Sequence, residues 1–121
     1  MAQRIKWDIY ETALLLDGYL RIQSGEKRKD IISEISVKLR FLGEKRGYFI
    51  DDIFRNKNGI SMQMGVMENC FTNGNSGYKS SNPPWVFRYV VNMYRSNHSA
   101  YERLLASAKY MIDQSDFIEK D

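Results

Sequence analysis

Cysteine and histidine are almost missing from this sequence, which has Cys70 and His98 as its single example of each. One cysteine cannot build a disulfide framework, and one cysteine with one histidine does not make the ligand set of a structural zinc site. Nothing in the sequence points to a Cys–His nucleophile pair. We therefore expect no metal and no cofactor, and we predict that Cys70 is a small core residue.

Long apolar runs are also missing. No stretch approaches the length of a membrane span, and the N-terminal segment is polar and charged, unlike a signal peptide. We therefore predict that the protein has no membrane partner. Because there is no pair of cysteines to oxidise, we expect a reducing, cytoplasmic setting.

A large excess of one charge is lacking as well. The chain has 18 Lys and Arg against 15 Asp and Glu, and a net charge of +3 is weak support for an anionic partner. The charge is unevenly spread, because residues 38–95 contain nine basic and four acidic side chains. This distribution is compatible with one basic face toward nucleic acid.

What is present is helical periodicity. The 121 residues suffice for one domain, and we predict a single helical domain over residues 1–121 with an ordered core at about 7–112. Apolar residues recur with helical spacing in five segments, and none alternates convincingly with a period of two. The segments are 7–23, 29–45, 60–71, a fourth starting at Pro83–Pro84 and a fifth starting near Ser99. The predicted fold is all-α, a compact bundle of about five helices with a helix-turn-helix-like core.

Two details of this bundle are specific. Asp8 and Glu11 have the spacing of a capping box, and the broad apolar surface that follows places the first helix at the centre of the core. Gly18 inside that helix indicates a close crossing with a neighbour. Residues 47–58 leave two alternatives open, a short helical turn capped by Asp51 or Asp52 and a two-stranded hairpin.

The segment from Arg55 to Phe71 carries the functional hypothesis. Its apolar residues follow one stripe of a helix, and they are Ile60, Met64, Met67 and Phe71. Ser61 and Gln63 are assigned to the other side. Amide side chains can pair with base edges and cations can hold phosphates, so this helix suits a nucleic-acid groove. The alternative is an ordinary core helix with a neutral outer face.

The candidate DNA-binding residues lie in and around this helix. They are Arg55, Asn56, Lys57, Asn58, Ser61, Gln63, Lys79, Lys45 and Arg46. Lys45 and Arg46 also have a structural explanation, since cations favour the last turn of a helix. Lys79 lies in the Gly- and Ser-rich segment 72–82, whose spacing is wrong for a Walker motif and which we predict to be a mobile connector.

Two stretches resemble a known module. The opening WDIYETALLLDGYL resembles the first helix of a module found at the N-terminus of bacterial restriction-type proteins, ahead of HNH nuclease or helicase domains. FRNKNGISMQMGVMENCFTNGNSGYKSSN is similar to its second landmark, a Ser-Met-x-Met/Leu-Gly core followed by a Gly-containing loop. The centre of that landmark also resembles the third helix of Myb/SANT-type helix-turn-helix domains, in which such a helix meets DNA.

The resemblance implies a DNA-recognition or targeting module of a restriction or phage-defence system. It places Ser61 and Gln63 in the helix that reads the DNA. The residues that anchor this helix in the core are then among Met62, Met64 and Met67. The Myb-like pattern usually has a basic residue where this chain has Gln63, which lowers the expected phosphate affinity. The implied partners are double-stranded DNA and an effector nuclease or helicase subunit.

Two other classes of function were weighed. An enzyme is not expected. Asp51 and Asp52 with Glu44 are candidate magnesium ligands, but adjacent acids with no third ligand in motif spacing are more often a solvated cap. We expect Asp113, Asp116 and Glu119 to belong to a frayed terminus. The alternative to DNA binding is a protein-interaction module or a small phage- or plasmid-encoded inhibitor. Such a module would use the aromatic face around Trp85–Tyr94 to contact another protein or a second copy of this chain, which would form a homodimer.

Overall fold

The computed structural model describes the backbone of residues 5–120 and the side chains of residues 5–113. It contains five helices, and the predicted all-α bundle is confirmed. They are α1 (Ile9–Gln23), α2 (Arg28–Lys45), α3 (Lys57–Phe71), α4 (Trp85–Ser96) and α5 (His98–Lys120). Over the described residues there is no strand, so the hairpin alternative for residues 47–58 is wrong. Asp116 and Glu119 lie outside the described side chains.

Helix α1 is the centre of the core, as predicted. Its N-terminus has the expected capping box, in which the Asp8 side chain accepts from the Glu11 N–H and the Glu11 side chain accepts from the Asp8 N–H. Its apolar residues face several directions, and α1 packs against all four other helices. At the crossing with α2, a Cβ on Gly18 would lie 2.3 Å from Cδ1 of Ile35. The close crossing predicted for Gly18 is therefore confirmed.

Helix α3 begins three residues earlier than the apolar pattern predicts. Asn56 is its N-cap, and its side chain accepts from the Gly59 N–H at 2.8 Å. Ile60, Met64 and Met67 are completely buried and Phe71 is half-buried against the core, which confirms the predicted stripe. The helix packs against α1, α2 and α4, while α5 packs against α1, α2 and α4. The apolar side of α3 is thus packed into the core.

The connection between α2 and α3 is a capped turn. The Asp51 carboxylate accepts from the N–H groups of Ile53 and Phe54, at 3.1 and 2.9 Å. Arg40 donates to the backbone oxygens of Asp51 and Phe54. The turn predicted after Ile50 therefore exists with Asp51 as its cap, but it does not become a helix.

None of the helices, over the residues described, has the combination of length and apolar character needed to cross a membrane.

We predict that Gly18→Val lowers the free energy of unfolding by about 1–3 kcal/mol, because the added atoms overpack the contact with Ile35. Urea denaturation followed by circular dichroism measures the change. Ala106→Val on exposed α5 is the matched control and should cost well under that amount. Equal losses in the two variants would contradict the close crossing.

Candidate nucleic-acid interface

Arg55 is a structural residue of the site and not an exposed cation. Its Nε donates to Oε2 of Glu11 at 2.8 Å, and the two side chains are only 9% and 4% exposed. The guanidinium lies between the rings of Trp7 and Phe54, with its central carbon 4.6 and 4.7 Å from their centroids. The predicted role of Arg55 in holding a phosphate therefore has no support in this geometry.

The same guanidinium fixes the N-terminal segment of the chain. Nη2 of Arg55 donates to the backbone oxygens of Ile5 and Lys6, at 3.3 and 3.4 Å. The Arg55 backbone adopts a left-handed conformation with φ of 47°, and its carbonyl accepts from the Ser36 hydroxyl at 2.7 Å. Such backbone geometry is rare for a side chain other than Gly, Asn or Asp. One residue thus ties α1, α2, the start of α3 and the N-terminal segment together.

Two more of the predicted DNA contacts have structural partners. Arg46 donates to Oδ2 of Asp8 at 2.5 Å and closes the C-terminus of α2 onto the N-terminus of α1. That carboxylate raises the pKa of Arg46, against the lowering that burial causes. Asn56 uses its oxygen as the cap of α3 and its amide to donate to the Asp52 carbonyl. Lys45 is exposed, with its ammonium 6.0 Å from the centroid of the Phe41 ring.

The part of α3 that faces solvent is its first two turns. We call Lys57, Asn58, Ser61 and Met62 the α3 crest. Lys57, Asn58 and Met62 are exposed, and Ser61 is half-buried. Nη2 of Arg28 donates to the Ser61 carbonyl at 3.0 Å and to its hydroxyl at 3.2 Å. An exposed arginine of α2 therefore flanks the crest.

The second half of the outer face of α3 is covered by the segment before α4. The Tyr78 N–H donates to the Gly65 carbonyl at 2.9 Å, and the Asn69 amide donates to the Ser76 carbonyl at 3.0 Å. Gly77 has φ of +87°, and a Cβ there would lie 2.5 Å from the Gly65 oxygen. The segment predicted to be a mobile connector is thus docked on α3. It leaves Lys79 exposed beside it.

Gln63 lies in a different environment from Ser61. Residues i and i+2 of an α-helix point about 160° apart around its axis. The side chains of Ser61 and Gln63 therefore cannot share a face. Their assignment to one reading face was therefore wrong. Ser61 lies beside α2, whereas Gln63 lines a cleft between the N-terminal segment and the start of α4.

We call this cleft the tryptophan cleft. Its volume is about 690 Å³, and its lining residues are Ile5, Lys6, Trp7, Arg55, Gln63, Ser80, Asn82, Pro83, Pro84, Trp85 and Val86. Trp85 is 72% exposed, and its ring meets that of Tyr89 edge-on with the centroids 5.7 Å apart. Oε1 of Gln63 is buried and has no hydrogen-bond partner among the described residues. A buried acceptor without a donor costs about 1–3 kcal/mol.

Several residues of this region were missed by the sequence analysis. Arg28 and its neighbours Lys27 and Lys29 stand at the N-terminus of α2, outside the basic middle of the chain. Cations at a helix N-terminus oppose the helix dipole, and that conflict was the signal available in the sequence. Trp7 and Trp85 were each noted in the sequence in another context, but nothing there indicated that they line one cleft, because 78 positions separate them.

The described acidic residues, Cys70 and His98 are the candidate groups for chemistry. Among the described residues no three His, Cys, Asp or Glu side chains lie close enough to hold a metal ion. Cys70 is buried, as predicted for a core residue, and burial raises the pKa of its thiol. His98 is exposed on α5 and pairs with Glu102 one turn away.

Comparison with known proteins adds no assignment, because no protein-family model, curated protein or solved structure matches this chain.

We predict that Glu11→Gln lowers the free energy of unfolding by about 3–5 kcal/mol, because it leaves the buried Arg55 charge without a counterion. Glutamine can still close the capping box, so the loss reports the ion pair. Chemical denaturation of both proteins measures it. The control Glu102→Gln removes the exposed partner of His98 and should cost less than about 1 kcal/mol. Similar losses in both variants would show that the buried Glu11–Arg55 pair contributes no more to stability than an exposed pair.

Proposed function

We propose that this protein binds duplex DNA without catalysing a reaction, and that it does so by placing the α3 crest in a major groove. The observation that carries the proposal is the division of α3. Ile60, Met64 and Met67 of its apolar stripe are completely buried and Phe71 is half-buried, while its first two turns are exposed and flanked by cations. In helix-turn-helix proteins the N-terminal residues of the recognition helix are the ones that contact base edges.

The side chains of the crest suit this role. Asn58 is exposed and carries both a donor and an acceptor, the combination that pairs with adenine in a major groove. Met62 is 53% exposed and offers an apolar contact of the kind that thymine methyl groups favour. The first turn of α3 contains no acidic residue. The crest therefore repels neither bases nor phosphates.

Phosphate contacts are assigned to two cations beside the crest. Lys57 is exposed in the first turn of α3, where the helix dipole also favours an anion. Arg28 reaches Ser61 through Nη2, and its exposed guanidinium has further N–H donors for a phosphate. Lys79 is exposed on the docked segment, where it lines a hollow with Asn69 of α3 and Arg88 of α4.

The wider role follows from the resemblance of two stretches to restriction-associated modules. On that basis we propose a targeting module of a restriction or phage-defence system, with the effector nuclease or helicase supplied by a partner. The exposed crest and its flanking cations support the binding step of this role.

A second candidate function is a protein interface. The observation in its favour is the exposed Trp85–Tyr89 pair, because solvent-exposed aromatic residues are enriched where proteins meet. Tyr94 does not join that surface, since its ring packs among Phe71, His98 and Tyr101. Sedimentation velocity separates the candidates, because a DNA-binding monomer and a self-associating protein differ in mass.

We predict association with duplex DNA that weakens steeply with salt, since bound cations release the counterions of each contacted phosphate. Fluorescence anisotropy of labelled duplexes at several salt concentrations measures it. Absence of binding to any duplex at about 50 mM salt would contradict the proposed function.

Substitutions on the crest should divide into two kinds. Lys57→Gln and Arg28→Gln should each weaken binding to all sequences and reduce the salt slope by about one unit. Asn58→Ala should reduce discrimination between sequences, by about 1–3 kcal/mol at its position. Arg103→Gln is the control, an exposed cation on α5, which does not pack against α3 over the described residues. If Arg103→Gln weakens DNA binding as much as Lys57→Gln does, the interface is not at the α3 crest.

A further inference from the structure

The tryptophan cleft has features of a ligand site that the DNA-binding role of the crest does not use. It is large enough for a small ligand, since such sites commonly span about 300–1,000 Å³. Its volume is about 690 Å³. Its walls are held in place from both sides. Arg55 ties the segment of Ile5 and Lys6, and Pro83 with Pro84 restricts the backbone opposite. A site held in this way loses little freedom when a ligand enters.

The unpaired oxygen of Gln63 indicates that the ligand carries a hydrogen-bond donor. Its buried Oε1 lacks a donor among the described residues, and a ligand with an N–H group would supply one. The terminal torsion of glutamine is broad, so the carboxamide can turn its oxygen toward the cleft. The amide nitrogen is a donor at the same end of the side chain. A ligand edge with a donor beside an acceptor therefore fits Gln63.

The remaining walls indicate a flat, uncharged group. The Trp85 ring is 72% exposed and is held edge-on against Tyr89, so one aromatic face is open for stacking. The charge of Arg55 is neutralised by Glu11, and the cleft interior therefore does not select for a phosphate. Lys6 is exposed at the rim, where a phosphate attached to a flat group would lie.

We propose that the tryptophan cleft binds one unstacked nucleobase, with Trp85 as the stacking surface and the Gln63 carboxamide paired to the base edge. The base belongs to a strand held at α3, so this inference rests on the proposed function. A base with an exocyclic amino group satisfies Oε1 of Gln63, and adenine offers the amino group beside the N7 acceptor. Thymine also carries a donor beside an acceptor, N3–H beside O4, and therefore does not test this contact. N6,N6-dimethyladenine keeps the adenine ring but has no N–H on its edge, and the cleft therefore prefers adenine over N6,N6-dimethyladenine.

Intrinsic fluorescence tests the proposal directly, because Trp7 and Trp85 are the two tryptophans of the chain and both line the cleft. The intact protein is titrated with dAMP, with N6,N6-dimethyl-dAMP and with deoxyribose 5-phosphate. We expect saturable quenching by dAMP, an affinity for the dimethylated nucleotide that is about tenfold weaker because it has no N–H for Gln63, and no response to the sugar phosphate. Absence of saturable quenching, or equal responses to all three probes, would overturn the proposal.

Two variants and a control identify the residues. Gln63→Leu should remove the preference for dAMP over N6,N6-dimethyl-dAMP while raising the melting temperature, because it removes an unpaired buried oxygen. Trp85→Leu should weaken both nucleotides about tenfold through loss of stacking. Tyr110→Leu, an exposed aromatic on α5, should change neither affinity. A Gln63→Leu protein that still prefers dAMP would also overturn the assignment.

The failure of this inference can be told apart from the failure of the proposed function. Salt-sensitive duplex binding without a nucleotide response would leave the crest in place and refute the cleft. A nucleotide response that depends on Gln63 without duplex binding would support the cleft and refute the crest. If sedimentation shows a self-association that Trp85→Leu abolishes and nucleotides do not compete with it, the cleft is a protein interface and the proposal fails.

Discussion

The buried pair of Glu11 and Arg55 is the interaction on which the rest of this structure depends. It lies between α1 and the residue just before α3, two elements that are 44 positions apart in the chain. An ion pair this deeply buried is costly to desolvate, and it is kept only where its hydrogen bonds are well made. Here the guanidinium also stacks on Trp7 and Phe54 and holds the backbone of the N-terminal segment. Both the start of α3 and one wall of the tryptophan cleft are positioned by it.

The consequence is a helix with two different flanks. The buried stripe of α3 fixes its rotation, so Ser61 must lie on the α2 side and Gln63 on the side of the cleft. The docked segment of Ser76 and Tyr78 covers the distal outer face and leaves only the first two turns open. The function that we propose follows from this rotation, because it presents the crest to a major groove and the cleft to an unstacked base.

The fold was accessible from the sequence because periodicity and capping are local properties. The stripe of Ile60, Met64 and Met67 and the capping box of Asp8 each need only neighbouring residues to be recognised. The site was less accessible for the opposite reason. The charge of Arg55 is neutralised by Glu11, which is far away in the chain. The sequence around a cation does not show which distant carboxylate it pairs with. The joint placement of Ser61 and Gln63 was an error of helical geometry that the spacing itself could have corrected.

We propose that nucleic acid contacts the α3 crest and the tryptophan cleft together. NMR during titration with a short duplex tests this contact through the amide and indole N–H chemical shifts. We expect changes at Asn58 and Met62 and at the indole groups of Trp7 and Trp85, with Tyr110 on α5 unaffected. Changes confined to the exposed loop residues Phe49 and Ile53, or to α5, would contradict it.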